Sequence, residues 1–331
     1  SIYPFCDVNR VITNYLFATL PLLSQNGNTK TAIKGATLNS DSLDALLIPV
    51  PPIKEQIRIC EKIKALKNIL SIYTNLEQSL TRLNDTFPLQ LKKSILQYAV
   101  QGKLVPQDPA DEPASVLLER IRTEKEQLVK EGKIKRDKHE SVIFRRDNSY
   151  YEKVDGIERC IDDELPFEIP ENWEWVRFFS IVEIATNLVS PERYFDYMHI
   201  APDNIEKSTG TLLECRTVAQ DKVSSPNHLF FKGQILYSKI RPLLRKAVIA
   251  PFDGLCSADM YPLKTPLNKE YLLRYILSDS FNAQVATAMS SRVKMPKINQ
   301  AELSKVLIPV PPIQEQERIV NKIKELYMAL V

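Results

Sequence analysis

Residues 232–246, KGQILYSKIRPLLRK, carry five cations and no acid: Lys232, Lys239, Arg241, Arg245 and Lys246, with Tyr237 among them. A second acid-free stretch, between Asp279 and Glu302, carries Arg292, Lys294 and Lys297. Cations at this density bind phosphates, and the planar guanidinium fork can read guanine in the major groove. The chemistry these residues suit is noncovalent recognition of double-stranded nucleic acid. The alternation in ILYSKIR equally fits a half-exposed strand whose basic residues face water.

Nothing points to bond-making chemistry. The five cysteines, Cys6, Cys60, Cys160, Cys215 and Cys256, are scattered and form no CxxC pair. That spacing argues against a disulfide framework or a zinc site and for a reducing cytoplasm. His139, His199 and His228 have no ligand spacing and read as surface or locally bonded side chains. Glycine is scarce, with 8 residues, and neither GxGxxG nor GxxxxGK[ST] occurs, so no phosphate cradle and no cofactor are expected. Glu131-Gly132-Lys133 satisfies the ExK fragment of a nuclease motif, but it lies in a charged linker. The net charge is only +3, so local distribution matters more than bulk. No run of about 18 apolar residues predicts a membrane span, and no secretory signal is visible.

What must position the basic stretches is a repeat. LIPVPPIKEQIRICEKIKAL (47–66) lies over LIPVPPIQEQERIVNKIKEL (307–326) with 15 of 20 positions identical. Weaker matches continue upstream, Lys34 with Lys294, Asn39 with Asn299 and Leu43 with Leu303, and a small shift brings Tyr15-Leu16 onto Tyr271-Leu272. The chain therefore writes a domain–helix unit about twice. In each copy a short apolar run predicts a strand. The prolines must end it, since they lack the N–H and fix φ. Glu55, near the positive end of the helix dipole, then predicts a long helix. Its stripe runs Ile59, Ile63, Leu66, Leu70, Tyr73, Leu76, Leu80, Leu83, Phe87, a coiled-coil seam with one irregular step, and Pro88 is expected to end or kink it. The second copy begins the same stripe at Ile319, Ile323, Leu326 and Leu330. If the helices pair antiparallel, a pseudo-twofold axis relates the units. A helix of roughly 35 residues would then hold heads about 52 Å apart.

Residues 101–165 join the first helix to the second head: a Pro/Asp-rich turn, a helix opened by Asp111-Glu112-Pro113, and a Lys/Arg-rich tail. The tail reads as a solvated helix face or as a phosphate-contacting or docking arm. The second head opens with ENWEWVRFFSIVEI, where Trp173 and Trp175 are core candidates. It continues through short strands to the helical YLLRYILSDSFNAQVATAM, a mixed α+β domain.

The duplicated IPVPPIxEQxRI with its long helix, LKKSILQYAVQGKLVPQDPADEPASVLLERIR and LPFEIPENWEWVR resemble the specificity subunit of type I restriction–modification enzymes. The resemblance implies an α+β fold in which mixed α/β target-recognition domains are joined by long coiled-coil-forming helices. It implies no catalysis and no cofactor here. Double-stranded DNA, methyltransferase (modification) subunits and restriction subunits would be the partners. It divides the chain into the end of a first recognition domain (1–52), a first long helix (53–100), a charged connector (101–165), a complete second recognition domain (166–312) and the start of a second helix (313–331). Its signature falls on Pro51, Pro52, Glu55, Gln56 and Arg58, and again on Pro311, Pro312, Glu315, Gln316 and Arg318, as scaffold and docking positions. Against that pattern roughly ninety residues of the first head are missing, the interval from Pro166 to the equivalent position 259. The expectation is a truncated subunit whose unpaired seam promotes self-association. The rival readings are a coiled-coil docking scaffold or a silent recombination cassette.

Overall fold

A computed structural model describes residues 7–25, 30–32, 35–37, 46–132, 140–289 and 296–330. The chain divides into two compact units, residues 1–87 and 88–331. Among the described residues no helix is long and apolar enough to cross a membrane.

In the first unit, α1 (Val11–Gln25) is opened by Asp7, whose carboxylate accepts the Ile12 N–H at 2.9 Å. Strands β1 (Lys30–Ala32) and β2 (Gly35–Thr37) pair antiparallel. Residues 46–50 form no strand. The Pro52 carbonyl then accepts the N–H groups of Glu55 and Gln56 at 2.8 and 3.0 Å, starting α2 (Ile53–Val100). This helix does not end at Pro88, one of the two outcomes expected of that proline. Its 48 residues correspond to about 72 Å. Proline costs the helix one hydrogen bond and a clash. The turns beyond it are held by packing, because Ile95, Leu96, Ala99 and Val100 are buried in the core of the second unit. Between Leu66 and Phe87 the seam is bare, with Leu66, Leu70, Tyr73, Leu76, Leu80, Leu83 and Phe87 each about half exposed or more.

The second unit continues with α3 (Ala114–Lys130) and a meander, β3 (Ser141–Arg146), β4 (Ser149–Val154) and β5 (Ile157–Cys160). The meander stands in part of the stretch read as a charged tail. Its turns were legible: Asp147-Asn148 and Asp155-Gly156 all take positive φ, as two-residue hairpin loops require. Next come β6 (Glu174–Arg177), β7 (Glu183–Ile184), β8 (Leu188–Val189), β9 (Met198–Ile200), β10 (Arg216–Thr217), β11 (Asn227–Phe230) and β12 (Ile235–Ser238). They are followed by β13 (Ala247–Ile249), β14 (Gly254–Cys256), β15 (Met260–Lys264), α4 (Lys269–Leu277), α5 (Asp279–Ala288), β16 (Leu307–Val310) and α6 (Ile313–Met328). Two sheets build the head, in the orders β10-β9-β14-β11-β8 and β13-β12-β15-β7. The fold is α+β.

A third pairing joins the repeat phrase to the head: β16 runs antiparallel to β6, with Ile308 opposite Val176 and Pro309 opposite Trp175. LIPV is wholly buried here, whereas its twin at 47–50 has no strand partner among the described residues. The same letters make a strand only where a neighbour supplies the ladder. The largest core cluster gathers α2, α4, α5 and α6 around Trp173, Tyr271, Tyr275 and Phe281. A smaller one joins the meander to Trp175 and Leu307 through Ile143.

Candidate nucleic-acid interface

β12 carries the first basic stretch and separates its members. Lys232 lies exposed before the strand, while Lys239 and Arg241 follow it, so residues adjacent in sequence sit at its two ends. Tyr237 faces inward. It is 1% exposed, stacks edge-on against Phe281, and its hydroxyl has no partner. Burial pushes its phenol above the usual range. The expectation that Tyr237 contributes to a surface is therefore corrected: alternation along β12 points it into the core.

Two of the five cations are consumed inside the fold. The Arg245 guanidinium pairs with Asp279 and donates to the Leu277 carbonyl at 3.3 Å. Lys246 Nζ donates to the Pro202 carbonyl at 2.6 Å and lies 3.6 Å from Asp203. Their partners are 34 and more than 40 residues away, so no local signal marked these cations as structural. Their side chains are also largely covered, 17% and 11% exposed against 37% for the ion-paired Lys297, and both leave the proposed contact set on that ground.

Three of the remaining cations, Lys239, Arg241 and Lys297, lie along one edge. Ile240 bridges Lys297, the Arg241 N–H donates to the Pro296 carbonyl at 2.8 Å, and the Ile298 N–H donates to the Lys239 carbonyl at 2.9 Å. Lys297 Nζ is 3.0 Å from Asp259, and Lys239 Nζ lies 5.2 Å from the centre of the Tyr261 ring. Arg241 is exposed and, among the described residues, has no acid partner. Its backbone is left-handed (φ 44°, ψ 52°), as is that of Arg245, and the two flank a short turn at Pro242–Leu244. A non-glycine residue there costs of order 1–3 kcal/mol, strain of a kind that clusters at functional sites. Arg292 and Lys294 lie outside the described residues.

The signature residues divide by copy. In the second, Pro311 and Pro312 are buried. Glu315 is fully buried, its carboxylate accepting from Trp173 Nε1–H at 2.9 Å and Gln107 Nε2–H at 2.6 Å. Burial raises the Glu315 carboxyl above its ordinary pKa, against the lowering pull of these donors and of Arg318. Arg318 grips Asp111 at 3.0 and 2.5 Å. Gln316 donates to the Pro311 carbonyl at 2.9 Å and accepts the Asn268 N–H at 2.9 Å. Gly102 makes the connector turn possible: its φ is +70°, and a Cβ there would meet Pro170 at 2.4 Å. In the first copy only Gln56 is buried; Pro51 is half-buried, and Pro52, Glu55 and Arg58 are exposed. The expected pairing of the two seams is not formed among the described residues: α6 buries Ile319 and Ile323 in the head and meets only the end of α2, beyond the seam. Tyr327 donates to the Lys92 carbonyl at 3.2 Å, while Glu315, at the opposite end of α6, meets the turn that follows α2.

Sequence reading missed the polar clamp between meander and head. Buried Glu152 accepts from Arg177 at 2.8 and 2.7 Å, from Arg159 at 2.6 Å and from the Ser141 hydroxyl at 2.6 Å. Arg177 also donates to Glu164 and to the Lys305 carbonyl, each at 2.7 Å. Opposite charges this far apart in sequence leave no local pattern.

Residues 170–330 match the family described as the type I restriction modification DNA specificity domain. The chain is 45% identical over 172 residues to the type I restriction enzyme EcoDI specificity subunit of Escherichia coli, covering 52% of this chain and 38% of that protein. It is 34% identical over 249 residues to the E. coli EcoAI specificity subunit, covering 71% and 39%. The chain thus spans under two fifths of the length of these relatives. Among solved structures, an HsdS subunit from Thermoanaerobacter tengcongensis aligns over 96% of this chain and 63% of its own, with 18% identity and a TM-score of 0.39.

Proposed function

We propose, on the premise that residues 170–330 belong to the family of type I restriction modification DNA specificity domains, that this chain reads DNA sequence for a restriction–modification complex and leaves the chemistry to its partners. The head at 166–312 reads part of a target in double-stranded DNA. Methyltransferase subunits dock on the helical scaffold and modify adenines, and restriction subunits join them; the second-copy signature residues are buried, or in Arg318 half-buried, inside this chain and serve the scaffold rather than the docking. The chain supplies no catalytic group and needs no cofactor, and it works in the cytoplasm beside the DNA it reads.

The observation that carries the reading within the head is the edge formed by Lys239, Arg241 and Lys297. Arg241 is held there in a strained conformation by Pro242 and by its backbone bond to Pro296, and it is presented without an acid partner among the described residues. Lys232 stands apart and contributes long-range attraction to phosphates. Arg292 and Lys294 are kept as phosphate contacts on their chemistry in the sequence alone.

The test has two parts. The chain is co-expressed with its methyltransferase subunit and methylated adenines are mapped across the host DNA; a reproducible motif is expected. Arg241→Ala should then weaken binding to that motif by about 1–3 kcal/mol if it reads a base. If Arg241 touches only phosphate, the substitution should instead flatten the salt slope by about one contact. No motif together with unchanged R241A binding overturns the reading. The alternative, a docking scaffold that does not read DNA, is favoured by the bare seam of α2 and would show partner binding without salt-dependent DNA affinity.

A further inference from the structure

The basic edge also holds an acid. Asp259 stands in the turn that opens β15, and its backbone is tied on both sides. Its carbonyl accepts the Lys239 N–H at 3.0 Å, and its own N–H donates to the Ser257 hydroxyl at 3.2 Å. The next residue, Met260, is fully buried and pairs in register with Ser238 of β12. The Asp259 side chain itself is 36% exposed. Lys297 Nζ holds one carboxylate oxygen at 3.0 Å, and the other oxygen has no partner among the described residues.

Neither stability nor phosphate attraction accounts for this carboxylate. An exposed ion pair contributes little to folding, because both charges are already well solvated. On a face that approaches phosphates, a carboxylate repels them and takes away part of the attraction of Lys297. What the pair does provide is aim. The bridge from Ile240 to Lys297 and the bond from the Ile298 N–H to the Lys239 carbonyl fix the lysine against the strand. The lysine fixes one oxygen, and the second is left as an oriented acceptor. In the major groove the groups that suit such an acceptor are the exocyclic amines, N4 of cytosine and N6 of adenine, whereas guanine O6 and thymine O4 are themselves acceptors. Arg241, on the same edge, has the opposite character, a fork of donors.

We propose that Asp259 is a specificity-determining residue of the head: its free carboxylate oxygen accepts from the exocyclic amine of one target base, while Lys297 holds the other oxygen. The inference rests on the reading of the head as a DNA reader and adds to it a residue and a class of base. Asp259 lowers affinity for DNA in general and returns it only where an amino base stands opposite. Discrimination needs a repulsive element of this kind as well as an attractive one.

The test uses the chain co-expressed with its methyltransferase subunit, with D259A and D259N beside the parent. Methylated adenines are mapped across the host DNA, and anisotropy titrations compare duplexes of the mapped motif with unrelated sequence at low and high salt. At one motif position, exchanging the amino and keto partners of the pair (C·G to G·C, or A·T to T·A) should weaken parent binding by about tenfold or more; which of the two pairs it is names the amine. D259A should lose that discrimination while binding unrelated DNA at least as tightly as the parent, since a charge that repels phosphate is gone. D259N keeps the shape. With Lys297 on its oxygen it presents an amide donor where the free oxygen was, so its preference should move to the exchanged pair. Parallel weakening on every sequence with the motif unchanged would make Asp259 a prop for the edge and overturn the proposal. Tighter binding everywhere with discrimination intact would overturn it too. If R241A weakens motif binding while D259N keeps the parental motif, this inference falls and the reading of the head stands; a parent complex with no motif would overturn both.

Discussion

Glu152→Gln tests the clamp between the meander and the head. Burial pushes the Glu152 carboxyl up, but the Arg177 guanidinium, the Ser141 hydroxyl and Arg159 overcome that and hold its pKa down to about 2, from 4.5. A depressed folded-state pKa means that the unfolded chain binds the proton more readily. The stabilisation is therefore complete above pH 4.5 and is lost as pH falls from 4.5 towards 2. A downward shift of this size corresponds to about 3 kcal/mol at pH 7, shrinking to about 1 kcal/mol at pH 3. Removing one member of a buried pair costs 3–5 kcal/mol, and the low end applies because Glu164 still holds Arg177. The assay is urea unfolding followed by tryptophan fluorescence, since Trp175 shares a core cluster with the meander, with amide hydrogen exchange across β3 and β4. E152Q should lose about 3 kcal/mol at pH 7 and converge on the parent at low pH. A loss below about 0.5 kcal/mol at pH 7, or one that is the same at pH 7 and pH 3, would refute the reasoning.

Tyr271→Phe removes the donor to the Pro309 carbonyl in a fully buried site. It should cost about 1–3 kcal/mol of stability in chemical denaturation, and Tyr15→Phe should loosen the first copy, seen as faster exchange at the start of α2. Glu315→Gln keeps an acceptor for the Trp173 indole while removing a carboxylate whose pKa burial has raised. A raised carboxyl pKa makes the parent more stable as pH falls from neutral towards 4.5. The variant should lack that gain while matching the parent at pH 7, whereas Glu315→Ala should lose about 1–3 kcal/mol. The bare seam from Leu66 to Phe87 should drive self-association, and a light-scattering mass that stays monomeric at every concentration would refute this.

Much of the scaffold was legible in local letters. The double prolines and Glu55 announce α2, the 3–4 spacing of apolar residues gives its seam, and the 15-of-20 repeat told that the same cap would be built twice. The two-residue turns at Asp147-Asn148 and Asp155-Gly156 were equally written in the chain and were overlooked, because the many charges around them read as a solvated tail. Sequence also marked Lys239, Arg241 and Lys297 as basic and the double-proline phrase as special.

Tertiary structure decided the rest, since it sets which neighbour each group meets. LIPV becomes a strand at 307–310 beside β6 and stays without strand partner at 47–50. Pro88 fails to stop α2 because packing of the turns beyond it outweighs one lost hydrogen bond. Arg245 and Lys246 leave the basic face because acids and carbonyls far along the chain arrive beside them, and Tyr237 turns inward on the pleat of β12. Glu315 and Glu55 share a letter and a local geometry, yet one is buried under Trp173 and the other faces water. Periodicity and caps act within a few residues and can be read in one dimension; desolvation and charge pairing act through space and cannot.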